Sequence, residues 1–272
     1  MNLIAIGDNV VDCYLDQKKI YPGGNCVNVA VQSKRNGANK VAYIGVFGND
    51  EKAAAIKEAL DSEGISYERS RNMVGKSGQP RVNLVDGDRV FVSSPRDTVQ
   101  RMVKLQLLDE ELAYASEFDV CHVSVYSSME EELSKLKPHI AISFDFSDIH
   151  DDAYLEKVCP HIQYGFFSGS HLSDEEVKSL ADKVLDYGVK VVGITKGEEG
   201  AYFFTENESY TRKPDPTELL DTMGAGDSFI AGFLTDYLAN KDIEAALNTA
   251  AASSAKTCTH YGGIGYPREL VE

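Results

Sequence analysis

Hydrophobic residues along this chain alternate between two spacings, which predicts alternating strands and helices. Short apolar runs indicate strands at residues 3–6, 41–46, 119–123, 141–146, 164–167 and 189–194. Apolar residues at helical spacing indicate helices at residues 26–36, 51–63, 109–116, 152–159, 174–187, 225–238 and 243–259. Ser173 and Glu176 have the spacing of a capping box at the start of one of these helices. Alternation of this kind is typical of a parallel sheet covered by helices, so we predict an α/β fold.

One segment, residues 76–96, breaks this alternation. Two runs of alternating residues, 81–85 and 89–93, flank Asp86-Gly87-Asp88. An Asp-Gly pair between alternating runs favours a β-hairpin. Because a hairpin does not belong in a parallel sheet, we predict a separate small sheet.

The composition argues against two classes of partner. The 272 residues carry a formal net charge of −16, and an acidic surface repels nucleic-acid phosphates and anionic lipid. The start of the chain lacks the basic region of a signal peptide, and no apolar run reaches the ~18 residues that cross a bilayer. The five cysteines show no CxxC spacing, as in reduced proteins. We expect one domain, residues 1–272, in the cytoplasm, with no nucleic-acid or membrane partner.

The clearest chemical signal is residues 221–229, which read DTMGAGDSF. The small residues Gly224, Ala225 and Gly226 let backbone N–H groups approach an anion. The helix predicted after them adds further N–H donors and the positive end of its dipole, which suits phosphate. Asp227, just inside that helix, is placed to take a proton from an attacking hydroxyl. For a bare GAGD, a plain turn with Asp227 as helix cap is the alternative.

Three motifs, in order along the chain, resemble those of the ribokinase-like, or PfkB-type, carbohydrate kinases. They are the C-terminal signature DTMGAGDSFIAGF at 221–233, the sugar-binding signature GGNCVNVA at 23–30 and the nucleotide-proximal turn TKGEEG at 195–200. The resemblance implies a doubly wound, mainly parallel sheet with a small β-sheet lid. Residues 13–22 and 76–96 fit that lid.

The resemblance also implies roles for single residues. It makes Asp227 the catalytic base. It assigns the anion hole to Gly224, Ala225 and Gly226. It assigns the turn beside the nucleotide to Thr195, Gly197 and Gly200. Family members use ATP with Mg²⁺ and many respond to K⁺, so we expect ATP and Mg²⁺, with K⁺ as a further candidate.

Short polar residues near the amino-terminal motif are candidates for sugar binding, because an unpaired buried hydroxyl costs roughly 1–3 kcal/mol. Asp8 follows the first predicted strand, and ligands gather at the carboxyl ends of parallel strands. We predict that substrate hydroxyls bind to Asp8, Asp12, Gly24 and Asn28. The alternative is that Asp8 and Asn28 only cap helices and turns.

A finer resemblance is to the subgroup of this family that phosphorylates fructoselysine, through IGDNVVDCY, GGNCVNVAV, DGDRVF, FDFSD and DTMGAGDSFIAGF. It implies transfer to the 6-hydroxyl of fructoselysine or a related fructosamine, a ketose that carries an amino acid through its amine. Arg89 is either a partner for the carboxylate of that amino acid or an ordinary surface arginine. Asp145 and Asp148 either face the site or cap the next element.

One family motif is missing from the chain. Many members carry Asn-x-x-Glu after the strand predicted at 164–167, tied to the metal and phosphates, but residues 166–175 here read FFSGSHLSDE. The metal ligands therefore stay unassigned, with water, Glu175 or Glu176 as candidates. No histidine motif for zinc occurs, and His122, inside an apolar strand, is expected to be a core residue.

Several alternatives stay open at this stage. The same chemistry could act on a free ketose, ribose or a keto-sugar acid, or the fold could serve a sugar sensor without catalysis. A dinucleotide-dependent oxidoreductase is disfavoured because the turn after the first predicted strand lacks GxGxxG. A homodimer through the lid is also expected, because lid hairpins offer unpaired strand edges.

Overall fold

The computed structural model describes residues 1–85 and 88–270, without the side chains of residues 84, 85, 88, 89 and 91. The turn predicted at Asp86 and Gly87 lies outside the described residues, as does the side chain of Arg89.

The elements follow the predicted order. The strands are β1 Asn2–Gly7, β2 Val10–Tyr14, β3 Lys19–Gly23, β4 Lys40–Phe47, β5 Arg71–Asn72, β6 Arg81–Val85, β7 Asp88–Ser93, β8 Val120–Ser124, β9 Ala141–Asp145, β10 Tyr164–Ser168, β11 Val191–Thr195, β12 Ala201–Phe204, β13 Ser209–Arg212 and β14 Arg268–Glu269. The helices are α1 Asn25–Arg35, α2 Glu51–Ser62, α3 Val99–Met102, α4 Asp109–Ala115, α5 Leu133–Leu136, α6 Asp152–Val158, α7 Asp174–Asp186, α8 Ala225–Asn240 and α9 Ile243–Thr257. The capping box predicted for α7 is present.

The large sheet of the described chain has the order β13-β12-β11-β10-β9-β8-β1-β4-β5. The strands from β11 through β5 pair in parallel, whereas β12 and β13 add an antiparallel edge. Residues of β1 alternate between two hydrophobic clusters: Leu3 and Ala5 join one, and Ile4 and Ile6 join the other. Helices α1, α2, α8 and α9 belong to the first cluster, and α4, α6 and α7 to the second. The sheet is therefore covered by helices on both faces, which confirms the doubly wound fold.

The strand order reverses direction beside β1. The chain proceeds from β1 to β4 on one side, and from β8 through β11 on the other. In doubly wound sheets, ligands bind at such a reversal, outside the carboxyl ends of the strands. Asp8 directly follows β1 and Ser124 ends β8, so the topology places both at this point.

A smaller sheet has the order β14-β3-β2-β6-β7. It contains the predicted hairpin as β6 and β7, which pair antiparallel. The sheet also begins earlier than predicted, at Val10, and takes a strand from the end of the chain, Arg268–Glu269. A two-residue edge strand has no periodicity to reveal it. The hairpin of β12 and β13 was likewise absent from the sequence prediction.

Candidate active site

Asp8 connects the ends of three elements at the reversal point. Its Oδ2 accepts a hydrogen bond from the Asn25 N–H at 2.7 Å, and its Oδ1 accepts one from the Ser124 hydroxyl at 3.0 Å. The side chain therefore caps the start of α1 and fixes the end of β8, and the residue is only 7% exposed. Asp8 therefore makes capping contacts, and sugar binding by Asp8 stays a prediction.

Gly24 is needed for this close approach. Its φ of +102° lies in a region that side chains rarely adopt, and a Cβ there would lie 2.9 Å from the Asn9 Cα and from the Asp8 Oδ2. The glycine therefore lets Asp8 reach the first N–H groups of α1.

Asp227 lies in the first turn of α8 and faces the start of α1. Its Oδ1 accepts from the Asn25 Nδ2 and its Oδ2 from the Asn28 Nδ2, both at 2.7 Å. The carboxylate is half-buried. The structure therefore brings Asp227 and Asn28, two residues selected from sequence, into direct contact.

Asn25 also touches this carboxylate, and the sequence prediction missed it. Its Nδ2 donates to Asp227 and also to the Asp145 Oδ2 at 2.7 Å. Its Oδ1 lies 2.9 Å from the His122 Nε2, and the other ring nitrogen of His122 lies 3.0 Å from the Ser143 hydroxyl. Asn25 stands inside the GGNCVN motif, so the signal that identified Asn28 could have found it.

His122 is fully buried, as expected of a core residue, yet it touches the site. Burial lowers the pKa of His122 to about 3, so the ring is neutral at physiological pH. A neutral ring that donates from Nε2 to the Asn25 Oδ1 accepts at Nδ1 from Ser143. This tautomer turns the Asn25 amide so that both of its hydrogens point at carboxylates.

Asp145, at the end of β9, faces the site. Burial, then the negative charge of Asp227, raises the pKa of Asp145 to about 7, although hydrogen bonds from Ser147 and Asn25 oppose the shift. Ser147 donates its N–H to the Asp145 Oδ1 at 2.8 Å and holds a left-handed φ of 54°. Such a conformation is unusual for a residue with a side chain and is typical of functional turns. Asp148 is exposed.

The residues predicted to contact the nucleotide line one cleft. It is lined by Thr195, Gly197, Gly200, Ala225 and Gly226, together with Arg212, Lys213 and Phe229. The turn after β11 and the start of α8 therefore border one space. Arg212 and Lys213 were missed because the strand that carries Arg212 was not predicted.

The loop before α8 is anchored to the smaller sheet. The buried Asp221 accepts from the Tyr14 hydroxyl at 2.6 Å and from the N–H groups of Met223 at 2.9 Å and Gly262 at 2.8 Å. Tyr14 also joins Met223 in a small hydrophobic cluster. The predicted anion hole is thus positioned in part by β2.

Two predicted substrate ligands lie in the smaller sheet. Asp12 is in β2, is 4% exposed, and its Oδ2 lies 2.8 Å from where a Cβ on Gly23 would be. Arg89 is in β7, and its side chain is outside the described residues. Substrate binding by both stays a prediction.

Metal binding has little support from the protein alone. In the described part of the chain, no group of three or more His, Cys, Asp or Glu could hold a metal ion. Glu176 is engaged in the capping box of α7, whereas Glu175 is exposed. Mg²⁺ is commonly held by one or two carboxylates together with substrate phosphates and water. The residues present therefore fit a metal that binds together with a nucleotide.

None of the helices in the described ranges has the length and apolar character that a membrane-spanning helix needs.

Comparison with known proteins agrees with this architecture. A plant ribokinase from Arabidopsis thaliana, solved with ribose and ATP, superposes with a TM-score of 0.84 at 18% identity and covers 99% of this chain and 96% of its own. At this level of identity the likeness shows the ribokinase-like fold alone.

Two relatives found by sequence have a higher identity to this chain. A fructosamine kinase, FrlD of Bacillus subtilis, is 44% identical and covers 99% of this chain and 96% of its own length. The fructoselysine 6-kinase of Escherichia coli is 32% identical, covering 96% of this chain and 98% of its own length. The family described as pfkB family carbohydrate kinase matches residues 1–269. These matches rule out the oxidoreductase alternative, and the chain belongs to the PfkB family of carbohydrate kinases.

Proposed function

We propose that this protein is an ATP-dependent kinase that phosphorylates the 6-hydroxyl of a fructosamine such as fructoselysine. The family supports sugar phosphorylation, and the two relatives named for fructosamine or fructoselysine support the substrate class. The intact carboxylate and glycine loop argue against a sugar sensor without catalysis.

One observation carries the proposal. Asp227 stands between two spaces. Its carboxylate is held by Asn25 and Asn28 at the reversal point of the sheet, while the residues just before it line the nucleotide cleft. A sugar hydroxyl bound on one side and a terminal phosphate on the other would meet at this carboxylate. Phosphoryl transfer depends mainly on such positioning and on neutralising charge.

In this mechanism, Asp227 accepts the proton of the 6-hydroxyl as its oxygen attacks the terminal phosphorus. The hydrogen bonds from Asn25 and Asn28 orient the carboxylate toward the hydroxyl. Gly224, Ala225 and Gly226 present the start of α8 to the transferring group, where N–H dipoles stabilise the developing negative charge.

Mg²⁺ bound with ATP would neutralise phosphate charge in the cleft, and the exposed Glu175 is the side chain we propose to reach it. K⁺ remains a candidate activator from the family resemblance. The five cysteines of the chain are all buried, and no disulfide joins them in the described residues, which supports the proposed cytoplasmic location.

The test is an ADP-release assay with purified protein, ATP and Mg²⁺ over a panel of fructoselysine, other fructosamines, fructose, ribose and a keto-sugar acid. We expect the highest kcat/KM with a fructosamine and a product phosphorylated at O6. Turnover of ribose or fructose with no turnover of any fructosamine would reassign the substrate.

A further inference from the structure

Two carboxylates lie side by side in the candidate sugar site. The Asn25 Nδ2 donates to the Asp145 Oδ2 and to the Asp227 Oδ1, each at 2.7 Å. The two hydrogens of a planar amide diverge by about 120°, so the two accepting oxygens lie about 5 Å apart. One amide thus fixes the spacing between the proposed base and a second carboxylate.

Within the described part of the chain, Asp145 has no cationic partner. Among the described residues, no salt bridge includes Asp8 or Asp145. Burial and the charges of Asp227 and Asp8 raise the pKa of Asp145 to about 7. The ionised form is therefore destabilised, and a cation from the ligand would relieve it.

An aromatic ring stands beside the same carboxylates. Tyr126 is 60% exposed, and its hydroxyl donates to the Ser147 hydroxyl at 2.8 Å. Partial burial, then the charges of Asp145, Asp148 and Asp227, raises the pKa of Tyr126. A ring next to carboxylates is an environment that binds ammonium groups.

A buried acceptor adds an independent sign of a ligand. The Oδ1 of Asn28 has no hydrogen-bond partner although the residue is only 3% exposed. The Nδ2 of the same amide donates to the proposed base, Asp227. A buried acceptor of this kind calls for a donor, which a hydroxyl or an ammonium supplies.

The chemistry of a fructosamine matches this arrangement. In its furanose form, C1 carries the amine and C6 carries the hydroxyl, and both are attached to the carbons that flank the ring oxygen. The amine and the 6-hydroxyl are therefore near neighbours. A base for the hydroxyl and an anion for the amine must then also be neighbours, as Asp227 and Asp145 are.

We propose that Asp145 and Tyr126 form an ammonium subsite that selects ketoses carrying a secondary amine at C1 over neutral sugars. This rests on the proposed function and names the group that sets its substrate specificity.

The test compares two substrates that share the 6-hydroxyl: 1-deoxy-1-propylamino-fructose and fructose. The ratio of their kcat/KM values is measured for the wild type and for Asp145→Asn. Effects of the substitution on Asp227 act on both substrates and cancel in the ratio. Loss of a charge-assisted contact with the amine predicts a fall in the ratio of about 10-fold or more.

Two further variants make the test robust. Asp186→Asn removes an exposed carboxylate at the end of α7 and should leave the ratio unchanged. Thermal melting shows whether Asp145→Asn folds. If it does not, Tyr126→Leu, which alters an exposed ring, should still lower the ratio.

An unchanged ratio in Asp145→Asn, or in Tyr126→Leu if the first variant is unfolded, overturns the subsite. A wild type that phosphorylates neither fructoselysine nor the propylamine sugar instead overturns the proposed function itself. The two failures are therefore distinguishable.

Discussion

Two glycines at the start of α8 differ in what surrounds them. Gly224 has a φ of +74°, and a Cβ there would lie 2.5 Å from the Gly263 Cα. A Cβ on Gly226 would meet no atom of the described chain within 4 Å. The fold needs a glycine at 224, whereas the space at 226 is open to a ligand in the cleft.

The pair gives a sharp prediction. Gly226→Ala should leave the melting temperature equal or slightly higher, because alanine favours a helix by up to about 1 kcal/mol. Its methyl group would enter the proposed anion hole, so kcat/KM for ATP should fall about 10-fold or more. Gly224→Ala should instead destabilise the fold by roughly 1–3 kcal/mol. Thermal melts and steady-state kinetics separate the two, and normal ATP kinetics in Gly226→Ala would contradict a phosphate site there.

Asp145 makes stability depend on pH. Burial raises the pKa of Asp145 in the folded protein to about 7, above its ordinary value of 3.8, so the folded state holds the proton more tightly. The stability from this group is fully present below about pH 4 and is lost as the pH rises toward 7. We expect the free energy of unfolding of the unliganded protein to fall less between pH 5 and pH 8 in Asp145→Asn than in the wild type. Within the described residues, the ionisable groups near Asp145 include Asp8, Asp227, Asp148, Tyr126 and His122. Equal slopes in urea titrations of both proteins would contradict the assignment.

The sequence identified single residues inside local motifs but not the long-range contacts that join them. Asp227 and Asn28 were selected because small residues and a helix start surround them. Asn25 and His122 act through partners roughly one hundred or more positions away. No spacing along the chain predicts such a meeting, because tertiary packing determines it.

At the scale of elements, the long helices and buried strands were predicted to within a few residues. Their apolar periodicity is strong because each buries a face against the large sheet. The strands that were missed, β5, β12, β13 and β14, are two to four residues long and lie at or next to sheet edges. Edge strands this short show no hydrophobic periodicity. Arg212, which lies in β13, was missed for the same reason.

The contact between β2 and the loop before α8 leads to a prediction for this element. The Tyr14 hydroxyl donates to the buried carboxylate of Asp221 at 2.6 Å. Hydrogen bonds to charged groups contribute about 1.5–3 kcal/mol, so Tyr14→Phe should lower the free energy of unfolding by that amount. Because the loop carries the proposed anion hole, kcat should fall as well.

Tyr21→Phe is the matched control. The two rings are in contact, 4.9 Å apart, but the Tyr21 hydroxyl donates to a neutral partner, Gln17, at 2.9 Å. Its loss should cost only about 0.5–1.5 kcal/mol and leave kcat unchanged. Equal effects of both substitutions in urea unfolding would show that the charge of Asp221 does not matter.

At the scale of the whole molecule, the smaller sheet offers an edge for self-association. Strand β7 is last in the order of that sheet, and Val90 and Val92 on it are 48% and 53% exposed. Exposed apolar edge strands tend to pair with another chain. We predict a homodimer through this sheet, with a solution mass of twice the 29.8 kDa of one chain.

Light scattering coupled to size exclusion tests this assembly. Val92→Lys should shift the mass to that of a monomer, because a lysine on the edge opposes pairing. A wild-type protein that elutes as a monomer at all concentrations would contradict the predicted homodimer.

The central claim is that the carboxylate of Asp227 removes the proton from the substrate hydroxyl. Its most direct test is the single-turnover rate of Asp227→Asn with saturating ATP, Mg²⁺ and fructoselysine. Asparagine keeps the shape but cannot accept the proton, so the rate should fall at least ~100-fold, while ATP binding measured by calorimetry stays within a factor of about two. Phosphoryl transfer at the wild-type rate in Asp227→Asn would contradict the account.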